Sequence, residues 1–249
     1  MLFDCICLSA LQDADELSTL DSGVALSSLT RLELGGNQLS TLPKTFGNLS
    51  ILISLNLSRN AFNKLPSQLL SLSGLKTLIV SCNTLSDLPK QLGALQMLQH
   101  LDASFNAISA LPQSIAVCLG MRTLCLQHNN IAELPQSLFM LTNLTVLSVN
   151  HNPLTVFDED FAMLQKLRRL LINHTQIKRI PSTVEYMQSL KEVSTHKRMN
   201  VLRPSAVSLS LRLLNLCLCS LSLLVSRYTS MILLSRIYLT SSLAFIRCR

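Results

Sequence analysis

The chain has 249 residues, enough for one large domain or two small ones. It is 48% hydrophobic but only 4% aromatic and has no tryptophan, a composition that favours a regular leucine-filled interior over an irregular core. The formal charge of +7 comes from one end: residues 1–192 contain 13 basic and 14 acidic side chains, whereas residues 193–249 contain eight basic and no acidic ones. This distribution excludes a basic, nucleic-acid-binding face on residues 1–192.

Residues 1–28 are predicted to form a degenerate N-terminal repeat or cap, because Asp15 and Leu17–Leu20 fit a degraded version of the repeat described below. Residues 1–11 contain Asp4 and no basic residue, so they make a poor signal peptide. The eight cysteines of the chain do not form the clustered terminal pairs that staple extracellular repeat proteins, which suits a reducing compartment. We therefore expect a cytoplasmic protein, with membrane association as the alternative.

Residues 29–189 consist of seven full repeats with a period of 23 residues, and such self-similarity is the signature of a solenoid. Thr175 continues the spacing of the asparagines, and six of the eight prolines share another single position of the repeat. No single unit can bury its own apolar side, so stability is expected to come from stacking. The asparagines, predicted to be structural, are Asn37, Asn60, Asn83, Asn106, Asn129 and Asn152.

Each position of the repeat has a predicted structural role. The alternation around Leu32–Leu34 is typical of a strand with one buried face, and successive strands are expected to pair in parallel. The asparagine amide can donate to and accept from buried backbone groups where the chain turns inward. Proline is predicted at the first position of a short helix. In the sixth unit Phe157–Asp158 replaces Leu–Pro, and we interpret the acids of Asp158–Asp160 as a helix cap, with a metal or catalytic cluster as the alternative.

The pattern fades after residue 189. Residues 190–200 are predicted to be a degenerate repeat start, with Val193 in register but Arg198 where asparagine should be. In residues 201–249 Leu, Ser and Arg account for 30 of 49 positions, and this hydrophobic tail is not expected to join the solenoid. Residues 206–246 are a possible membrane anchor, although Arg212 and Arg227 interrupt the apolar runs. An unstructured or interfacial segment and an unselected reading frame are the alternatives.

The stretches "LSTLPKTFGNLSILISLNLSRN" and "ISALPQSIAVCLGMRTLCLQHNN" carry a family resemblance. Over residues 17–198 the frame LxxLxLxxNxLxxLP resembles the intracellular 23-residue class of leucine-rich repeats, most of all the Ras-group-related proteins and Scribble- and Erbin-type scaffolds. The resemblance implies an α/β leucine-rich-repeat solenoid, a right-handed horseshoe with a parallel concave sheet and short convex helices. It also implies that partners engage the concave side.

The sequence contains no phosphate-binding glycine loop, no HExxH and no GxSxG. The pairs Cys5–Cys7 and Cys217–Cys219 have one-residue spacers, which argues against structural zinc. We therefore expect no catalytic residues, no metal and no cofactor.

The candidate partner-binding surface consists of the non-leucine positions of the strands, among which we count the position before each asparagine. Apolar side chains there are expected to be exposed among scattered charges, as in a protein-binding surface with a few anchors, and Phe105 is predicted to be its centre. His128, His151 and His174 share one position and are expected about 5 Å apart, as a metal or proton sensor or simply as a duplicated exposed row. The predicted residues are Arg59, Ile79, His100, Asp102, Phe105, His128, Val146, His151, Arg169 and Leu171.

These observations favour a monomeric, non-enzymatic scaffold or adaptor in intracellular signalling, which binds a protein partner and no nucleic acid. The alternative is a membrane-tethered, receptor-like sensor that is anchored by the tail. An enzyme is the third hypothesis.

Overall fold

The computed structural model describes residues 29–195 and the backbone of residues 5–7 and 200–201. The other residues of the predicted N-terminal cap and of the hydrophobic tail lie outside the described residues. Among the described residues, no helix is both apolar enough and long enough to cross a bilayer.

Short parallel strands, one per repeat, form an open sheet of nine strands in the order β1 to β8 followed by β10. From β2 to β10 each residue pairs with the residue 23 positions later, for example Leu55 with Leu78. The strands are β1 (Cys5–Cys7), β2 (Arg31–Glu33), β3 (Ser54–Asn56), β4 (Thr77–Ile79), β5 (His100–Asp102), β6 (Thr123–Cys125), β7 (Val146–Ser148), β8 (Arg169–Leu171) and β10 (Glu192–Ser194). A separate two-stranded parallel sheet joins β9 (Arg179–Ile180) to β11 (Asn200–Val201).

The predicted fold class is confirmed: the seven expected strands are present, in parallel and in register. Two strands extend the sheet beyond the seven full repeats. One is β10, whose Val193 is buried in the core. The other is β1, which pairs with β2 at an offset of 26 residues instead of 23.

The return segments are short 3-10 helices, which face the sheet across the leucine core. The five-residue helices have an inward residue at the third position, such as Phe46 or Leu69, and every helix is followed directly by a buried residue, such as Leu49 or Leu72. The helices are Lys44–Asn48, Ser67–Ser71, Leu92–Ala94, Gln113–Val117, Gln136–Met140, Glu159–Met163 and Ser182–Tyr186. Cys118 occupies one of the core positions, and burial raises the pKa of its thiol to about 11.

The proline position differs from the prediction by one residue. Pro43 and four equivalent prolines precede the helix as N-cap residues with extended backbone, at ψ angles from 136° to 157°, and are not its first residue. The proline carbonyl accepts the first helical bond, as from the backbone N–H of Phe46 at 3.1 Å. Proline suits this site because its φ is fixed near −65° and the N-cap N–H has no helical acceptor.

The sixth unit replaces proline by a side-chain cap, as the interpretation of its acids predicted. The Asp158 carboxylate accepts a hydrogen bond from the backbone N–H of Asp160 at 3.0 Å. Below it, Phe157 and Phe139 pack against the ring of Phe161, with centroid distances of 4.2 and 5.0 Å. In the first five units the position of Phe157 is held by leucine.

The structure places the asparagines as bridges between successive turns. Asn129 is a buried example: its Nδ2 donates to the carbonyls of Ala103 at 3.0 Å and Leu126 at 2.9 Å. Its Oδ1 accepts from the backbone N–H of Ile108, in the preceding repeat, at 2.9 Å. Equivalent bonds to the preceding repeat are made by Asn60, Asn83, Asn106 and Asn152. Asn37 donates to the carbonyl of Leu34, and Thr175 makes the equivalent bond to Ile172 through its hydroxyl.

Candidate functional site

The outward strand positions are less exposed than the sequence suggested. Ile79, Val146 and Leu171 were expected to be exposed apolar groups, but all three are half-buried, and of the four expected apolar groups Phe105 alone is exposed, at 49%. The reason is the parallel register. Val146, for example, lies directly between Thr123 and Arg169, and neighbouring strands are only about 4.8 Å apart, so each side chain is covered on both flanks.

The position before each asparagine does not belong to the strands. It lies in the following turn, and its residues adopt a left-handed backbone that is uncommon for any residue except glycine. Gly36 has a φ of 76°, and the six other φ angles lie between 53° and 56°, at Arg59, Cys82, Phe105, His128, His151 and His174. The backbone N–H groups of these turns donate to the next repeat, as from Phe105 to the Gln127 carbonyl at 2.9 Å. The predicted placement of Phe105 on a strand is therefore wrong: it lies at the edge of the sheet where the strands end.

Because the same backbone geometry recurs in each turn, the side chains leave it in parallel and their rings stack. The ring centroids of Phe105 and His128 are 4.2 Å apart, those of His128 and His151 4.0 Å, and those of His151 and His174 4.1 Å. The interplanar angles are only 12° to 15°. We call these four side chains the ring row. Its spacing is closer than the 5 Å expected from strand geometry.

The ring row does not have the geometry of a metal site. Nearly parallel imidazoles direct their in-plane lone pairs in parallel, whereas the ligands of one metal ion must converge. Among the described residues, no group of three or more His, Cys, Asp or Glu side chains could hold a metal ion. The pKa of His151 is lowered from its ordinary value by desolvation first, and then by repulsion from His128 and His174.

The charged side chains of the sheet are mostly engaged by neighbours. The Asp102 carboxylate accepts from the backbone N–H of Ser104 at 3.0 Å and from its hydroxyl at 2.6 Å, so it supports the turn before Phe105. Arg169 donates to Glu192 across β8 and β10 at 2.8 Å. The pKa of Cys125 is raised to about 11 by burial and then by the Asp102 charge, with Arg169 opposing.

The predicted surface is thus divided into three parts. Phe105, His128 and His151 come together in the ring row. Asp102 and Arg169 lie on β5 and β8, either side of Cys125 and Ser148 in the sheet. Arg59 and His100 are exposed but are not brought into the ring contacts, since Arg59 lies two repeats before Phe105 and His100 lies on β5.

Sequence reasoning missed an apolar ridge on the opposite, convex side. The last residue of four successive 3-10 helices is apolar and 48% to 69% exposed. The 23-residue spacing of these residues is the signal in the sequence that could have found them. The residues are Val117, Met140, Met163 and Tyr186.

Comparison with known proteins identifies the repeat. A family model described as "Leucine rich repeat" matches residues 120–177, and a second, "Leucine Rich Repeat", matches residues 28–49. No curated protein sequence gives a significant match.

Among solved structures, a leucine-rich-repeat protein of Leptospira interrogans is 27% identical over 69% of this chain and 50% of its own, with a TM-score of 0.57. The ectodomain of the Arabidopsis receptor kinase HAESA, solved with a peptide hormone ligand, is 28% identical over 68% of this chain, with a TM-score of 0.62. This chain covers 30% of that ectodomain. The match to internalin C2 of Listeria monocytogenes spans 78% of this chain and 80% of the internalin, with a TM-score of 0.68. Since the two sequences are only 22% identical, this match shows the fold alone.

The recurring asparagine bridges, the in-register strands and the two matching family models agree. The described repeats form an open solenoid of leucine-rich repeats, and residues 28–49 and 120–177 match family models of that repeat.

Proposed function

We propose that this chain is a non-enzymatic scaffold or adaptor that binds a protein partner through the concave sheet face, acting as a cytoplasmic monomer in intracellular signalling. The observation that carries the proposal is the exposed ring of Phe105 at the edge of a continuous sheet face. A large ring with half-buried apolar neighbours and a polar surround is the arrangement of a binding anchor. Repeat surfaces of this kind are extended and concave, which suits a protein or peptide more than a small substrate.

The similar solved structures support a binding role. The HAESA ectodomain was solved with a peptide hormone, and the ectodomain of GASSHO1, which is 26% identical to this chain, with Casparian strip integrity factor 2. The chemistry of the described face points the same way. Asp102 is committed to Ser104 and Arg169 to Glu192, so neither is held ready as a general acid or base.

A matched pair of single substitutions tests which side binds. Full-length protein is used to capture partners from cell extract, as wild type, as Phe105→Ala on the concave edge and as Met140→Ala on the convex ridge. Loss of a central aromatic anchor costs about 2 kcal/mol or more, or roughly 30-fold in affinity. We expect Phe105→Ala to weaken capture of the partner and Met140→Ala to preserve it, with both variants as heat-stable as the wild type. The opposite pattern would move the binding site to the convex ridge.

The receptor-like alternative depends on residues 206–246, which lie outside the described residues. Its support is the apolar composition of that segment. Membrane fractionation of the full chain and of a variant that ends at Asn200 distinguishes the scaffold from the receptor-like sensor. A chain that enters the membrane fraction only with its tail present would favour the anchored sensor.

A further inference from the structure

The last three repeats of the concave face, residues 121–195, have cationic or protonatable side chains along both edges. At the edge where the strands end lie the imidazoles of His128, His151 and His174. At the edge where the strands begin, the residue directly before the strand is basic and exposed in three of the four positions, at Arg122, Arg168 and Lys191. The fourth position is Thr145, whose backbone N–H donates to the carbonyl of Arg122 at 2.8 Å. The face is therefore bordered by positive charge on one side and by potential positive charge on the other.

No carboxylate between these edges is left without a partner. Within residues 121–195 the structure describes one acidic side chain at an outward strand position, Glu192, and it pairs with Arg169 at 2.8 Å. Asp102, on the adjacent strand β5, is bonded to Ser104. The other acidic residues of this part of the chain lie in the return segments, at Glu133, Asp158, Glu159, Asp160 and Glu185. An anionic ligand on this face would meet complementary charge and no free acid.

Neighbouring imidazoles of the ring row lie within 4.1 Å of each other, so positive charges on them would repel. His151 is stacked between two other imidazoles at 4.0 and 4.1 Å, and His128 is covered on its other side by the uncharged ring of Phe105. The ionisable groups on the strands beside the row are His100, Asp102, Cys125, Arg169 and Glu192, and the two acids already have partners. A bound carboxylate would offset that repulsion.

We propose that this face binds an extended, carboxylate-bearing segment of the partner, and that the binding becomes tighter as the pH falls through the range in which imidazole takes up a proton. The inference rests on the proposed function, and it names the chemistry of the partner. The two ring-to-ring steps place the outer imidazoles about 8 Å apart. Alternate side chains of an extended peptide are about 6.8 Å apart, so two acidic residues separated by one other residue can reach both ends of the row.

A labelled peptide with alternating glutamate and glycine, EGEGE, tests the proposal by fluorescence anisotropy on the full chain at about pH 5.5 and pH 7.5. A QGQGQ peptide of equal length is the ligand control. Lysine and arginine side chains, including those of residues 193–249, stay charged across this range, so they contribute equally at both values. We expect EGEGE to bind at least several-fold more tightly at the lower pH, and QGQGQ to show no such gain.

The protein variants replace the imidazoles by asparagine, which is neutral at both pH values and tolerates the left-handed backbone of these turns. The triple variant His128→Asn, His151→Asn, His174→Asn should lose the gain at low pH, and His151→Asn alone should lose part of it. Lys178→Gln, which removes one exposed positive charge elsewhere, should keep the full gain. Melting temperatures at pH 7.5 identify any variant that fails to fold. If the triple variant does not fold, the low-pH gain of His151→Asn alone tests the proposal.

Two results would overturn the proposal: a low-pH gain that persists in the triple variant, or an EGEGE affinity no greater than that of QGQGQ. Either result would leave the proposed function standing if Phe105→Ala still weakens capture of the partner. A third result is possible, in which Phe105→Ala captures the partner normally while EGEGE still binds more tightly at low pH through the histidines. That result would refute the anchor role of Phe105 and support the acidic ligand.

Discussion

Asn129→Leu isolates the contribution of one asparagine bridge, and its cost can be derived from the hydrogen bonds around it. Through bonds of 3.0 Å or shorter, the side chain serves three backbone groups: the carbonyls of Ala103 and Leu126 and the N–H of Ile108. The carbonyl of Ala103 also accepts from Asn106 at 3.1 Å, and that of Leu126 also accepts from Asn152 at 2.9 Å. Both carbonyls therefore keep a donor in the variant, and only the N–H of Ile108 loses its sole partner.

The expected cost is that of one unsatisfied buried donor, about 1–3 kcal/mol, and not three times as much. Urea unfolding followed by far-ultraviolet circular dichroism measures it. Asn143→Leu is the control, because Asn143 makes its bonds at the surface, to Leu119 and Lys166. That change should cost no more than about 0.5 kcal/mol. Equal unfolding midpoints for Asn129→Leu and wild type would refute the assignment of the bridge as a stabilising element, and a loss far above 3 kcal/mol would refute the sharing of carbonyls.

Two further predictions concern the helix contacts and the ring row. Gly93→Ala should destabilise the solenoid by about 1–3 kcal/mol, since a Cβ there would lie 2.6 Å from the backbone oxygen of Ser114. Gly36→Asn, at a left-handed position with no atom within 4 Å of the added Cβ, should unfold within about 0.5 kcal/mol of wild type in the same urea assay. For His151 the lowered pKa means that the unfolded chain binds more protons, so its contribution to stability is complete above about pH 6.5 and is lost as the pH falls through the folded pKa. The melting temperature should therefore fall more between pH 7.5 and 5 for wild type than for His151→Asn, and a parallel decline would contradict this.

The fold was predictable because each structural position is sampled seven times. A leucine in a single strand is weak evidence, but Leu32, Leu55, Leu78 and their successors at one spacing specify a buried column and hence a parallel register. The extra strand β10 was also predictable, since Val193 keeps that spacing after the asparagines end. The exposure of single outward residues was not predictable in this way. Ile79 is half-buried because Asn56 and Asp102 flank it in register, which depends on the identities of its neighbours.

The left-handed turn was the main feature that sequence reasoning did not find. Glycine signals such a backbone, yet only Gly36 occupies the position, and arginine, cysteine, phenylalanine and histidine occupy the rest. The geometry is imposed by the repeat and not by local preference. The next turn accepts a hydrogen bond from the backbone N–H of each of these residues up to His151, as in the bond from His128 to the carbonyl of Asn150. The donor in such a tertiary hydrogen bond is the backbone N–H, so the residue type at the position does not reveal the bond.

The same constraint explains why the surface and the fold of this protein can change independently. In the leucine and asparagine positions, a substitution disturbs contacts that cross from one repeat to the next, as at Asn129. In the position before asparagine the backbone is held by main-chain bonds, so the side chain is free to vary without loss of the turn. Three successive histidines at that position therefore stack whether duplication or selection placed them there. Stacking alone is not evidence of function, and the evidence must come from a ligand whose affinity depends on those imidazoles while the melting temperature at neutral pH does not.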